Sequence, residues 1–190
     1  MEPLDAKAAN SQSGGPSFPL TSRLARALWM ACWFLLARWT PPALHAWRIL
    51  LLRAFGTSAG RGCRVHASAN VWWPGNLALG DNVLIGPGAI IYNQGPISLG
   101  NDTVVSQRAH LCASTHDLAD THFQLVLRPI AIGANCWIAA EAFVGPGVTM
   151  KEGSVLSARA ALFADAESWT VYRGNPAAAL KPRARPTGAA

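Results

Sequence analysis

From Val65 onward an aliphatic residue returns every six positions, and a small residue stands four places after it. Leu79, Ile85 and Ile91 form one series, with Val83, Ala89 and Gly95 at the small positions. Two residues out of phase come Leu99, Val105 and Leu111, with Thr103, Ala109 and Thr115. After a long interruption the pattern resumes at Ile132, Ile138, Val144, Met150, Leu156 and Leu162, with Cys136, Ala142, Val148, Ser154 and Ala160. A helix repeats at 3.6 residues and a strand at 2, and neither yields six. Six is the period of a hexapeptide β-helix. Each unit is a short strand and a turn, and three units close one triangular coil. The aliphatic residue points to the axis, and the small one fits beside it near the corner. Coils stacked at about 4.8 Å bury a continuous core that no single unit could bury. Gly80-Asp81-Asn82, Gly100-Asn101-Asp102 and Gly133-Ala134-Asn135 fall in phase, as residues that tolerate tight corners. The predicted fold class is therefore all-β, a parallel β-helix of about five coils over residues 57–168.

The interruption, residues 117–131, is predicted to be one protruding loop, and solenoids put such loops on their functional face. It follows Ser114-Thr115-His116-Asp117 and contains His122, Phe123 and Arg128. A neutral imidazole at His116 can take a hydroxyl proton at neutral pH. The alternative is a solvated corner histidine, which is also how His110 reads one repeat earlier. His45, His66 and His122 read as structural or surface groups. The four cysteines form no CxxC pair, which excludes a disulfide scaffold and a zinc ribbon and fits a reducing cytoplasm. Cys136 takes a small inward position. Cys112, near His116 in sequence, is a minor candidate nucleophile.

The net charge of +6 divides into +4 over residues 1–60, −2 over 61–169 and +4 over 170–190. A nucleic-acid binder spreads its basic surface over the folded body, and here the body is mildly acidic, so no nucleic acid is expected. Residues 1–19, rich in Ser, Gly, Pro and Ala, are predicted to form a disordered tail. Residues 20–56 are apolar and rich in Trp and Arg. Pro41-Pro42 splits them into an N-terminal helical pair, about 21–39 and 43–55. The longest uncharged stretch of the first piece, Ala27–Ala37, is eleven residues, against about 20 for a bilayer span. Trp29, Trp33, Trp39 and Trp47 with nearby Arg fit peripheral contact with the inner face of the cytoplasmic membrane. They fit packing on the main domain or a partner subunit equally well. Residues 169–190 form a basic C-terminal segment.

Several runs carry a family resemblance. They are Tyr92-Asn93-Gln94-Gly95-Pro96-Ile97, Ser114-Thr115-His116-Asp117, Pro129-Ile130-Ala131-Ile132-Gly133 and Cys136-Trp137-Ile138-Ala139-Ala140. Phe143-Val144-Gly145-Pro146-Gly147-Val148-Thr149, Gly174-Asn175-Pro176-Ala177 and the entry Leu51-Leu52-Arg53-Ala54-Phe55-Gly56 complete the set. Over residues 45–183 the chain resembles the left-handed β-helix acetyltransferases. Within them it is similar to the colanic-acid biosynthesis subgroup, relatives of the maltose, galactoside and nodulation acetyltransferases.

The resemblance implies a left-handed coil and a homotrimer that binds acetyl-CoA, as co-substrate, between neighbouring subunits. It implies direct acetylation of a sugar hydroxyl, on a free glycan or a lipid-linked precursor, with no acyl-enzyme and no metal. His116 matches the catalytic base, and Asp117 or Asn93 would hold the ring or the acceptor. The backbone N–H of Ala140 would face the developing oxyanion, and Trp137 and Ala158 would border acetyl-CoA. Many relatives carry Thr-Lys before the Asp that closes the last coil, and here Phe163-Ala164 precede Asp165. Arg159, Lys181 and Arg183 would then supply charge for the CoA phosphates. Two other readings share the fold. A zinc carbonic-anhydrase-like enzyme would need three converging histidines, yet His110 and His116 fall on successive corners. A non-catalytic scaffold would need neither the His-Asp step nor the loop.

Overall fold

The computed structural model describes residues 1–185. Two helices, α2 (Leu20–Leu36) and α3 (His45–Ala54), follow a short α1 (Ala6–Ala9) and lead into the solenoid. Its first coil is β1 (Ser58–Ala59), β2 (Arg64–Val65) and β3 (Asn70–Val71). The second is β4 (Leu77–Leu79), β5 (Leu84–Ile85) and β6 (Ile90–Tyr92), and the third β7 (Ile97–Leu99), β8 (Val104–Val105) and β9 (His110–Cys112). An arm of β10 (Ser114–His116) and β11 (Leu125–Leu127) interrupts the winding. The fourth coil is β12 (Ile130–Ile132), β13 (Trp137–Ile138) and β14 (Phe143–Val144), and the fifth β15 (Thr149–Met150), β16 (Val155–Leu156) and β17 (Ala161–Leu162). A sixth begins with the Met150–Ala166 bridge and β18 (Thr170–Gly174), against which β19 (Ala177–Pro182) folds back antiparallel.

Three parallel sheets result, one per face of the prism. Face A runs β1-β4-β7-β12-β15, face B β2-β5-β8-β13-β16-β18, and face C β3-β6-β9-β14-β17. Every aliphatic residue of the six-residue series lies in the core, and Ile85, Ile91, Val105, Leu111, Ile138, Val144, Met150 and Leu156 are fully enclosed. The phase shift before Leu99 has a simple cause. The corner between β6 and β7 is longer by two residues, as is the one between β3 and β4, where Pro74–Asn76 form a 3-10 turn. Asn82, Asp102 and Asn135 take left-handed φ of 56–57° at the corner between faces A and B, a conformation these residue types tolerate.

Two expected boundaries change. Residues 1–19 are ordered rather than disordered. Asp5 caps α1, the Ala6 amide donates to Gln124 Oε1 at 2.7 Å, and Gln12 Nε2 donates to the Thr121 carbonyl at 2.8 Å. Phe18 packs on Trp72 with ring centroids 5.1 Å apart. The order comes from contacts with the arm over 100 residues away, which local composition does not register. The expected loop 117–131 is also shorter, because β11 pairs antiparallel with β10 and Ile130 is already back on face A against Ile97.

The helical pair is docked as well as exposed. Trp29 is 2% exposed and donates its indole N–H to the Val71 carbonyl at 2.8 Å. Arg48 is fully enclosed. Its guanidinium donates to the carbonyls of Val65, Pro41 and Pro42 and to Thr40 Oγ1 at 2.6–3.0 Å, so burial without a carboxylate lowers its pKa. The opposite side of α2 presents Leu20, Leu24, Leu28 and Leu35, one every four or seven residues, and all are exposed. No helix among the described residues is long and apolar enough to cross a membrane.

Candidate active site

His116 ends β10 at the tip side of the arm, exposed, with Leu125 as its cross-strand partner. Its Nδ1 lies 2.7 Å from the Phe123 carbonyl oxygen. A carbonyl only accepts, so in the neutral ring Nδ1 carries the proton and Nε2 keeps its lone pair. Phe123 can offer that carbonyl because its φ is +54° and its amide donates back to the Asp120 carbonyl, closing a tight turn. Sequence reasoning missed this contact, since a backbone carbonyl leaves no mark in residue type; only the loop's position hinted at it.

Asp117 and Asn93 stand differently from expectation. The Asp117 carboxylate accepts from the Ala119 amide at 2.9 Å, shaping its own turn rather than holding the imidazole. Asn93 is fully buried, and its side chain bonds both backbone groups of Trp73, at 3.1 and 2.6 Å, in the coil below. Both polar ends bond the coil below, and no hydrogen bond joins Asn93 to His116 among the described residues. The equivalent longer corner of the coil below needs its backbone groups paired, and the Asn93 amide supplies that.

A groove of about 610 Å³ runs along face B. Five of the residues expected at acetyl-CoA line it: Trp137, Ala140, Ala158, Lys181 and Arg183. β8, β13, β16 and β18 form its floor, and the return strand β19 brings Lys181 to its side. Trp137 is 47% exposed and donates to Ser106 Oγ at 2.9 Å. Neighbouring amides at the corner are engaged, with Glu141 donating to Gln107 and Arg159 to Ala140, but among the described residues the Ala140 and Ala158 amides make no hydrogen bond. Two unpaired N–H groups thus sit one coil apart along an apolar groove.

The expected cations divide. Arg159 lies outside the groove at the corner between faces B and C, where its φ of +59° turns it toward Glu141, 2.6 Å away. Glu141 also pairs with Arg108, and the two guanidinium groups hold its carboxyl below the usual carboxylate range, Arg159 contributing most. Arg183 lines the groove, but it donates to the Asn135 and Gly153 carbonyls and lies 5.6 Å over the Trp169 ring. Lys181 forms no ion pair among the described residues. Phe163 is exposed and stacks toward Phe143, and Asp165 accepts from the Thr149 amide.

Other singled-out side chains are structural. His110, expected at a solvated corner, lies on β9 between Tyr92 and Phe143, and burial lowers its pKa. Burial raises the pKa of Cys136, and the Cys112 thiol points to the Ser114 carbonyl. No group of three or more His, Cys, Asp or Glu residues with the arrangement of a metal site occurs among the described residues.

His116 and the groove lie on different edges of the same coil. The arm leaves the end of face C, whereas the groove lies on face B. Within a single chain the His116 imidazole and the amide-lined groove therefore do not meet.

A β-helix bearing an imidazole on an inserted arm and a groove of unpaired amides defines a class of enzyme, the hexapeptide-repeat acetyltransferases. Comparison with known proteins agrees. The family model described as the hexapeptide repeat of succinyl-transferase matches residues 77–106 and 129–162. The chain is 38% identical over 156 residues to WcaF of Escherichia coli K12, by name a colanic acid biosynthesis acetyltransferase, covering 82% of this chain and 86% of that one. Among solved structures, a maltose O-acetyltransferase from Clostridium difficile superposes with a TM-score of 0.79 at 20% identity, covering 88% of this chain and 90% of that one. A hexapeptide-repeat acetyltransferase of Vibrio cholerae, solved with acetyl coenzyme A, gives 0.78 at 20% identity, over 87% and 91%. The chain belongs to the hexapeptide-repeat acetyltransferase family, folds as its left-handed β-helix and is an acyltransferase.

Proposed function

We propose that this enzyme moves an acetyl group from acetyl-CoA to a hydroxyl of a sugar in a polysaccharide or glycolipid precursor. The observation that carries the reading is the 2.7 Å contact between His116 Nδ1 and the Phe123 carbonyl oxygen. Nδ1–H is committed to the Phe123 carbonyl, so Nε2 is free to take the acceptor's hydroxyl proton. The oxygen then attacks the thioester carbonyl directly, and the Ala140 N–H stabilises the tetrahedral oxyanion. Collapse breaks the C–S bond, and the CoA sulfur leaves with the proton from His116. Lys181 serves the CoA phosphates, with Arg183 adding charge from a fixed position. The name of the WcaF relative and the acetyl-CoA in the Vibrio structure support the substrate classes.

In this reading the site is completed in a homotrimer, with the arm of one subunit reaching the groove of the next. His116→Ala should lower kcat by about 10²–10⁴-fold while the circular-dichroism melt stays unchanged. Ala158→Trp should block the groove. Trimers reassembled from the two inactive variants should regain about a quarter of wild-type activity, since one interface in four then joins an intact base to an intact groove. No recovery in verified mixed trimers would refute a shared site, and wild-type turnover in His116→Ala would refute the base.

The exposed leucine face of α2, with Trp39 exposed beside it and no acidic residue between Asp5 and Asp81, supports peripheral attachment to an anionic membrane surface. Leu24→Glu with Leu28→Glu should abolish co-sedimentation with phosphatidylglycerol vesicles and spare the trimer. Equal sedimentation of both proteins would exclude this contact.

A further inference from the structure

A second cavity, of about 330 Å³, opens on face C beneath the N-terminal tail. Phe18, Trp72 and Tyr92 line it, Arg23 and Arg26 of α2 border it, and Gln94 completes it. Two polar atoms here are buried without any hydrogen-bond partner among the described residues, Gln94 Oε1 and Arg26 Nε. Gln94 is 7% exposed, and its Nε2 donates to the Tyr92 hydroxyl at 3.0 Å, which fixes the unpaired oxygen in place. The Arg26 guanidinium is stacked 4.7 Å over the Trp72 ring. Neither arginine forms an ion pair among the described residues, and α2 carries no acid. Buried polar atoms are ordinarily paired with protein, water or ligand, and a partner from outside the chain would pair both of these.

The chemistry of that partner follows from the lining. Two guanidinium groups ask for an oxyanion. An amide oxygen asks for a hydroxyl donor, and the aromatic walls ask for C–H groups. A sugar bearing a negative group offers all three. The cavity volume, at the low end for small-molecule sites, suits one monosaccharide. Its place fits an acceptor. Leu125 packs with Phe18 and Trp72, and Leu125 is the strand partner of His116, so cavity and base flank the same strand pair. The groove expected for CoA lies on another face.

We propose that this cavity is an acceptor subsite for an anionic sugar, with the carboxylate of a uronic acid or a sugar phosphate held between Arg23 and Arg26 and a hydroxyl on Gln94 Oε1. The proposal deepens the acetyltransferase reading and rests on it. Binding to the purified full chain, without acetyl-CoA, is measured by calorimetry with a methyl hexuronide, a hexose 1-phosphate and the neutral methyl hexoside. One of the two anionic sugars should bind, identifying the source of the charge, and the neutral sugar should bind at least about tenfold more weakly. Arg26→Gln and Arg23→Gln should remove that preference, and Arg26→Lys should restore part of it. Gln94→Leu, which leaves α2 untouched, should weaken the charged and neutral sugars alike. In acetyl transfer, Arg26→Gln should raise KM for the charged acceptor with kcat nearly unchanged, whereas His116→Ala should lose kcat and keep binding. Absence of binding by both anionic sugars, or an unchanged charge preference in both arginine variants, overturns the subsite. Charge-selective binding in a protein that transfers acetyl to no acceptor would overturn the reaction while leaving the subsite standing.

Discussion

In the neutral ring the Phe123 carbonyl places the His116 proton on Nδ1, so the base proposed at His116 would need no carboxylate partner. The neighbouring Asp117 then matters through shape, because its side chain caps the turn that leads to Phe123. Asp117→Asn keeps an acceptor oxygen at the same place and should retain most of kcat, whereas Asp117→Ala should lose about tenfold through a loosened turn. A loss in Asp117→Asn as deep as in His116→Ala would mean that the charge acts on the imidazole itself. His110 obeys a different rule. Its pKa is lowered in the folded protein by burial, so the unfolded chain binds its proton more readily. The stability it contributes is present above the unfolded value of about 6.5 and is lost as pH falls through the lower folded value. His110→Phe suits the aromatic stack with Tyr92 and Phe143 and removes a buried nitrogen that lacks a partner among the described residues. Its melting temperature should therefore fall less than that of the wild type between pH 7.5 and 5.5, and thermal melts at the two pH values test this.

At the scale of elements, the entry to the solenoid depends on one enclosed cation. Arg48 ties the bend after α2 to the Val65 carbonyl of the first coil, and no neutral side chain of similar length can donate to four acceptors. Arg48→Met should cost about 2–4 kcal/mol in urea unfolding and should speed amide exchange in residues 37–48 more than in the later coils. Uniform acceleration across all coils would mean that the bend is not an independent latch. These elements also show what residue types can disclose. The inward aliphatics and their small neighbours were legible because coil geometry forces a fixed period on side-chain size. The Pro pair likewise announced the break between α2 and α3. The order of the tail was not legible, because it depends on Gln124 meeting Ala6 and Leu4 from the far side of the sequence. Asn93 and Arg159 misled for a related reason. Their chemistry suits a site, and only the coil below shows that Trp73 and Glu141 have already engaged them.

For the whole molecule, charge and winding separate its tasks. Basic residues without acids gather at the helical entry and at the C-terminal return strand, while the body carries mixed charges that pair across adjacent coils, as in Arg108–Glu141–Arg159 and Lys151–Glu167. That Trp137, Ala140 and Ala158 would share one face was legible from the repeat, because equivalent positions recur in every coil. Their separation from His116 within one chain was not recoverable, since residue spacing does not place an inserted arm relative to a face. The return of Ile130 to direct pairing with Ile97 has a further consequence. The stack closes across the arm as though nothing had been inserted, so the piece bearing His116 contributes little to the cohesion of the rod. Durability and chemistry are thus encoded in different stretches, and a lineage could exchange one arm for another, with a new acceptor preference, at small risk of unfolding. The tail that grips Gln124 is the part that would have to change with it.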